Sequence, residues 1–457
     1  MTRHILILGN NLAGLVTAYR LLQYGFHISI ADTPISAQPK VFSKAATESV
    51  EPTSFPLRSK SKKIPLIFHG FYHATWALSQ ELLFDWPPQT FQTVQLEFGA
   101  AEKTPIGLPK PSRLTWLHPL TRLTFFKGLS WSDRWNIINV LEKQWEDNDL
   151  LHPHSDTENV ETWLITAKQS EHSRSHFWNP LCRFFLNCDL SQASLNSFMK
   201  VLSQYWFGHT TDAATFLAPP DTLDKLEADI RQFLSKKGAQ LHIPQSTITI
   251  QTDTEGIRAI ELDSTHVKAQ SYISTLSPHK LLPLLPERAL ARYTYFSSLA
   301  QIPVLYGLAV QFILHDSLIG HRLILSSDPF DWITSQSRSQ SDVQETVVTC
   351  ITLRELIIQE HSEKELIQVA WTVIQKLFNL APTTTPESCE PQIIRQAGPF
   401  FPSHRGSRAH RPISQTPLSN FFLAGPWTAT NLSASLESTI QSANSCAEAV
   451  AAAFYRT

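Results

Sequence analysis

The sequence predicts an α/β fold: a doubly wound, Rossmann-like domain with an interleaved α+β domain. Three observations predict it. Residues 1–32 read as strand, glycine turn, helix, strand and carboxylate. Residues 420–457 read as an apolar strand, a glycine and an Ala-rich helix, so the two ends of the chain match. Between them lies a stretch dense in Trp and Phe and poor in acids, the composition of an inserted lobe with an aromatic interior.

The elements follow in order. His4–Leu8 (HILIL) is a short continuous apolar run, the pattern of a strand buried on both faces. A turn spans Gly9–Gly14. Leu15, Ala18, Leu21 and Leu22 then recur at helical spacing, and Gly25 stands where a helix end favours glycine. Ile28–Ala31 is a second strand, and Asp32 supplies its carboxylate. Such a βαβ unit has the layout of a dinucleotide-binding fold. Residues 33–63 read as a loop, with the basic run Arg58–Lys63 on the surface. Residues 64–84 read as a helix through Tyr72, Trp76 and Leu83, ended by Trp86-Pro87-Pro88. Gln92–Phe98 alternates like a strand, and Trp131–Trp145 and Trp178–Leu202 read as helices. Pro219–Lys237 is amphipathic. Strands are expected at Gln240–His242, Ser246–Gln251, Ile257–Leu262, Ser271–Leu276, Leu305–Phe312 and Glu345–Leu353, and a helix at Glu363–Leu380. Asn420–Ala424 is a buried strand, Gly425 a turn and Leu436–Tyr455 a long helix. Residues 1–85, 211–285 and 396–457 are expected to build the nucleotide domain, and 86–210 and 286–395 the second lobe.

Composition excludes several classes. With 38 basic and 40 acidic side chains the net charge is −2, which lacks the basic footprint of a nucleic-acid binder. The five cysteines are scattered, with no zinc-type pair, and His152-x-His154 reads as a surface loop; no metal is expected. A reduced compartment, the cytoplasm, fits this usage. The apolar start is broken by Gly9-Asn10-Asn11, which argues against a signal peptide, and no apolar run is long enough to span a membrane. Glycine is scarce, 15 residues in 457.

The glycine turn carries the chemistry. G-x-G-x-x-G uses its glycines for a tight turn, for approach to the diphosphate and for helix–strand packing. Here Gly9 and Gly14 are present and Asn11 takes the middle place, adding a Cβ and an amide where phosphate is expected. Asparagine tolerates left-handed backbone better than most residues. The helix N-terminus after Leu12 and Ala13 remains an anion site. Asp32 stands where a ribose-binding acid is expected.

Gly14-Leu15-x-x-Ala18-x-x-Leu21, followed by strand and acid, resembles the FAD-binding start of the amine oxidase and carotenoid desaturase superfamily. Asn420-Phe421-Phe422-Leu423-Ala424-Gly425-Pro426-Trp427-Thr428, with Ser435-Leu436-Glu437-Ser438 and Ala447-Glu448-Ala449, resembles its second flavin motif. Phe177-Trp178-Asn179-Pro180-Leu181-Cys182, Leu186-Asn187, Gln192-Ala193-Ser194 and Val201-Leu202 look like the middle of the squalene-associated flavoproteins, the hydroxysqualene dehydroxylases. Arg411-Pro412 and Thr416 fit the same group.

The resemblance implies FAD as cofactor. The contacts it implies are Gly9, Asn11, Leu12, Ala13, Gly14 and Asp32 near the start. Thr247, Gly425, Pro426, Glu437 and Ser438 are the later ones. It also implies reductive dehydroxylation of hydroxysqualene to squalene, a long apolar isoprenoid substrate, and peripheral membrane contact through an apolar patch. A phytoene-type desaturase is the alternative chemistry, and a non-catalytic lipid-binding or scaffold descendant the alternative class. The sequence departs from the pattern at Asn11, at Pro426 where relatives have aspartate, and at Ser438 and Ser442-Ala443 where they have glycine or Ser-Gly. A Gly-Gly-Arg segment is missing from 33–50, and Ile64-Pro65-Leu66 stands where Gly and His are expected. No residue in the sequence marks itself as a catalytic acid.

Overall fold

His4–Leu8 has no polar face, so it needs a neighbour on each edge and a layer on each side. In the computed structural model it is the middle of a five-stranded parallel sheet, ordered Phe421–Leu423, Ser271–Ser274, His4–Leu8, His27–Ala31, Gln240–His242. Both chain ends and a central segment therefore meet in one sheet. The structure describes residues 3–32, 64–82, 91–99, 105–107, 121–146, 157–206, 208–209, 211–242, 247–263, 265–315, 319–326, 329–340 and 343–455. The expectations for 33–63, Trp86-Pro87-Pro88 and His152-x-His154 lie outside these residues.

Alternation sorts the two layers. Ile5, Ile7, Ile28, Ile30, Ile273 and Phe422 face three helices, Leu12–Gln23, Thr222–Lys236 and Leu436–Tyr455. Leu6, Leu8, Tyr272, Phe421 and Leu423 face the antiparallel strands Ile248–Thr252 and Ile257–Leu262 and the helical turns of 278–299. The first helix ends at Tyr24, and Gly25 follows at φ +81°, the left-handed position a helix end leaves to glycine.

A second sheet of seven strands runs Gln392–Phe400, Leu305–Leu314, Val343–Thr352, Trp332–Gln340, Arg322–Ser326, Leu96–Gly99, Ile106–Gly107. The helix Glu363–Phe378 covers one face of it, with Phe312 and Trp371 in the packing. The other face meets the aromatic core around Phe177, Trp178, Phe198 and Trp206. A smaller sheet, Leu66–His69, Thr215–Ala218, Gln92–Val94, completes the set.

Several expectations change. Residues 64–84 split into the strand Leu66–His69 and the helix His73–Glu81, because Gly70 packs against the 211 backbone: a Cβ there would lie 1.8 Å from Thr211 O. Gln92–Phe98 is two strands in two sheets. Trp178–Leu202 is broken: Asn187, at φ +59°, ends the helix Asn179–Leu186, and a new helix starts at Leu195. Gln240–His242 joins the parallel sheet and not a hairpin. Trp178 is a core residue whose indole N–H donates to Gln169 Oε1 at 3.1 Å.

Candidate functional site

Strand order reverses about His4–Leu8. The chain first adds His27–Ala31 and Gln240–His242 on one side, then Ser271–Ser274 and Phe421–Leu423 on the other. A crevice opens at the carboxyl ends of strands at such a reversal. Here it holds a cleft of about 700 Å³, within the range of small-molecule and cofactor sites.

One end of the cleft is made of backbone and charge. Gly9, Asn10, Asn11, Leu12 and Ala13 line it, with Asp32, Glu227, Thr275 and Lys280. Gly9 has φ +115°, and a Cβ on it would lie 2.2 Å from Thr275 Oγ1; a Cβ on Gly14 would lie 2.1 Å from Gly9 O. Both glycines are thus demanded by the turn itself. Asn11 is the cap of the first helix. Its Oδ1 accepts from Gly14 N at 3.1 Å and its Nδ2 donates to Thr275 O at 3.0 Å. Its φ of −105° is extended, so its tolerance of left-handed backbone is not called on here.

A polar chain surrounds this end. Arg231 donates to Glu227 at 2.7 Å and to Asn10 Oδ1 at 2.9 Å, and Asn10 Nδ2 donates to Asp32 at 3.2 Å. Glu227 also accepts from the Leu12 N–H, one of the free donors of the helix end. Burial pushes the Glu227 carboxyl above its usual value, against the pull of Arg231.

The other end is aromatic. Phe71, Tyr72, Phe184, Phe185, Trp332 and Phe400 line it, together with His69. The segment Leu432–Glu437 and Pro426-Trp427 form a further wall of the cleft. Arg411 holds that wall by donating to Leu432 O at 3.1 Å. Glu437 is 1% exposed and braces the helix His73–Glu81. Its carboxylate accepts from Ala74 N at 2.9 Å, Thr75 N at 3.0 Å and Thr75 Oγ1 at 2.8 Å. Burial raises the Tyr72 phenol above its usual value, with the Glu437 charge adding to it.

The residues expected at the site divide. Gly9, Asn11, Leu12, Ala13, Asp32, Pro426 and Glu437 line the cleft. Gly14, Gly425 and Ser438 do not; they shape it from behind. Gly425 has φ +147°, and its N–H donates to Ser442 Oγ at 2.9 Å. Ser438 Oγ accepts from Ser435 N at 2.8 Å while Ser438 N donates to Ser435 Oγ at 3.2 Å, a reciprocal cap on the last helix. Its replacement of glycine is therefore a matter of helix ending and not of cofactor approach. Thr247 is corrected outright. It is exposed at the head of the antiparallel Ile248–Thr252 strand, binds Asp263 through its N–H, and does not line the cleft. Glu227, Thr275, Lys280 and His69 were not singled out by sequence reasoning. Only Glu227-x-x-x-Arg231, an i,i+4 pair on an amphipathic helix, left any signal.

A sequence model described as flavin containing amine oxidoreductase matches residues 65–451. The chain belongs to the flavin containing amine oxidoreductase family. It is an FAD-dependent oxidoreductase by that membership, and the fold is that of the family. No curated protein matches it by sequence. An oxidoreductase from Methanosarcina mazei is similar at 14% identity and a TM-score of 0.66, over 97% of this chain and 100% of that one. Cyclohexylamine oxidase from Brevibacterium oxydans is similar at 13% identity and a TM-score of 0.65, over 100% of both chains. Putrescine oxidase bound to putrescine is similar at 12% identity and a TM-score of 0.64, again over 100% of both.

The donor set fits FAD. A helix end with backbone N–H groups suits a diphosphate, Asp32 ends the strand where a ribose hydroxyl is met, and Lys280 supplies positive charge. Among the described residues no group of three His, Cys, Asp or Glu side chains could hold a metal ion.

Proposed function

We propose that the chain acts on a long isoprenoid, with the reductive dehydroxylation of hydroxysqualene to squalene as its reaction. The apolar, aromatic lining of the cleft beyond Pro426 carries this reading. Gly9, Asn11, Leu12, Ala13, Asp32 and Lys280 would hold the adenine-nucleotide half of FAD, and Pro426, Trp427 and the 432–437 wall its flavin half. Bound FAD supplies two-electron redox chemistry, which the protein orients and shields. Phe71, Tyr72, Phe184, Phe185 and Trp332 exclude water from the aromatic end and offer a C30 chain apolar contact. Tyr72, its phenol kept protonated by burial, holds the wall through Ser435.

An amine substrate, as the names of cyclohexylamine and putrescine oxidase indicate for those proteins, is less well served. A desolvated ammonium gains most from a free carboxylate in addition to aromatic faces. Glu437, a carboxylate on the cleft wall, is already taken up by donors on Ala74, Thr75 and Gln441.

A peripheral membrane site in the cytoplasm belongs to the same proposal. Phe125, Trp131 and Trp135 are 73%, 61% and 52% exposed, and Trp131 and Trp135 share one helix face. Among the described residues no helix is long and apolar enough to cross a membrane.

The test is direct. Purified protein is expected to be yellow, with near-stoichiometric flavin released on unfolding. After anaerobic reduction, added hydroxysqualene should reoxidise the flavin. Turnover of phytoene without response to hydroxysqualene would replace dehydroxylation with desaturation. Colourless protein that takes up no FAD would leave the scaffold reading.

A further inference from the structure

Among the described residues, His69 is the side chain with nitrogen acceptor chemistry at the aromatic end of the cleft. It closes the strand Leu66–His69 and is 3% exposed. Its ring stacks on Phe71 at 5.0 Å and 4°, and meets Tyr72 at 5.2 Å and Phe185 at 5.3 Å. Nδ1 lies 3.2 Å from the hydroxyl of Thr215, its partner across the antiparallel ladder. Nε2, on the opposite edge, has no hydrogen-bond partner among the described residues, yet it is not sealed off. His69 lines the cleft, so this is the edge left for a ligand.

Burial pushes the His69 pKa down to about 3, so the ring is neutral at neutral pH. A neutral imidazole carries one donor and one acceptor. The Thr215 hydroxyl can donate or accept, so either tautomer is open to Nε2. A ligand hydroxyl, which both donates and accepts, satisfies Nε2 in each case. A hydrocarbon satisfies neither and leaves a polar edge unpaired.

We propose that His69 Nε2 anchors a hydroxyl group on an otherwise apolar substrate and sets a preference for the alcohol over its parent hydrocarbon. The proposal rests on the apolar reading of the cleft made above, but not on the isoprenoid chain itself. Its partners in the role are Thr215, which orients the ring, and the Phe71 and Phe185 faces, which keep water from competing.

The test uses the FAD-loaded protein and two matched pairs of probes, farnesol with farnesene and dodecanol with dodecane. Binding is read from perturbation of the flavin absorbance, with FAD content and thermal unfolding measured alongside. Wild type is expected to bind each alcohol about tenfold tighter than its hydrocarbon. His69→Phe should reduce that ratio to about twofold or less, by weakening alcohol binding and by sparing the hydrocarbon the unpaired edge. His69→Gln, which restores a donor and an acceptor, should recover part of it, and Thr215→Val should lower it without removing the ring. These two variants carry the test if His69→Phe does not fold. An unchanged ratio in the folded variants, or no alcohol preference in wild type, would overturn the proposal. Dodecanol bound and farnesol refused would support His69 as anchor while overturning the isoprenoid reading.

Discussion

The two ends of the cleft are built by different means. At the nucleotide end the surface is mostly backbone from one stretch of chain, the turn after Gly9, a helix N-terminus and a strand end at Asp32, to which Glu227, Thr275 and Lys280 add side chains from elsewhere. At the aromatic end the surface is side chains drawn from 64–72, 184–185, 332 and 400–401, with a buried imidazole among them. The first end is set by local geometry and tolerates little substitution in its glycines. The second is set by packing between distant segments, and its specificity can change without altering any motif.

The largest expected effect breaks the backbone-built end. Gly14→Val places a side chain where Gly9 O already lies 2.1 Å from a Cβ, and backbone cannot yield cheaply. We expect a loss of about 3 kcal/mol or more in urea unfolding, together with loss of FAD. A variant that folds and binds FAD normally would show that this turn is softer than its contacts imply.

The next effect belongs to the packing-built end and appears in acid. His69 has a folded pKa of about 3 against 6.5 for the free side chain. Between these values the unfolded chain binds the proton and the folded protein does not. Stability therefore rises with pH through this window and is lost as pH falls from 6.5 toward 3. At pH 4 about 3 kcal/mol of that stability has been lost. Urea unfolding at pH 7 and pH 4 should show a smaller acid loss in His69→Phe than in wild type. His4, His279, His321 and His404 shift the same way and are common to both proteins. An equal acid loss in the two proteins would mean that His69 is hydrated in solution.

The smallest effect sharpens the contrast at the charged end. Glu227 holds the Leu12 N–H and faces the place expected for a diphosphate, beside Asp32 and Arg231. Glu227→Gln keeps an acceptor and removes a charge, so FAD affinity, read by fluorescence titration, should tighten about tenfold. Wild-type affinity should also rise as pH falls and Glu227 protonates, and the variant should lack that rise. Weaker binding in the variant would mean that Glu227 supports the cofactor through Arg231 and does not oppose it.

The substitutions that departed from the family pattern look different in place. Ser438 and Ser442 are hydrogen-bonding struts inside the last helix and its turn, and Ala443 is packed core. Asn11 is a helix cap. Only Pro426, among the later ones, stands on the cleft itself. A glycine count reports where side chains are missing, but not which way the replacing side chain points.

The sequence by itself determined the βαβ unit, the meeting of the two chain ends in one domain, and Gly9, Asn11, Leu12, Ala13 and Asp32 among the residues that line the cleft. Those features depend on the period of apolar residues and on backbone that only glycine allows, and both are local. Tertiary structure alone decided that His69, Glu227, Thr275 and Lys280 reach the same cleft. It also decided that Thr247 does not, and that 64–72 is a strand feeding a helix. Each depends on which distant segment packs alongside: Thr211 against Gly70, Thr215 against His69, the Leu12 N–H against Glu227. Contacts between residues far apart in the chain leave no period in its sequence.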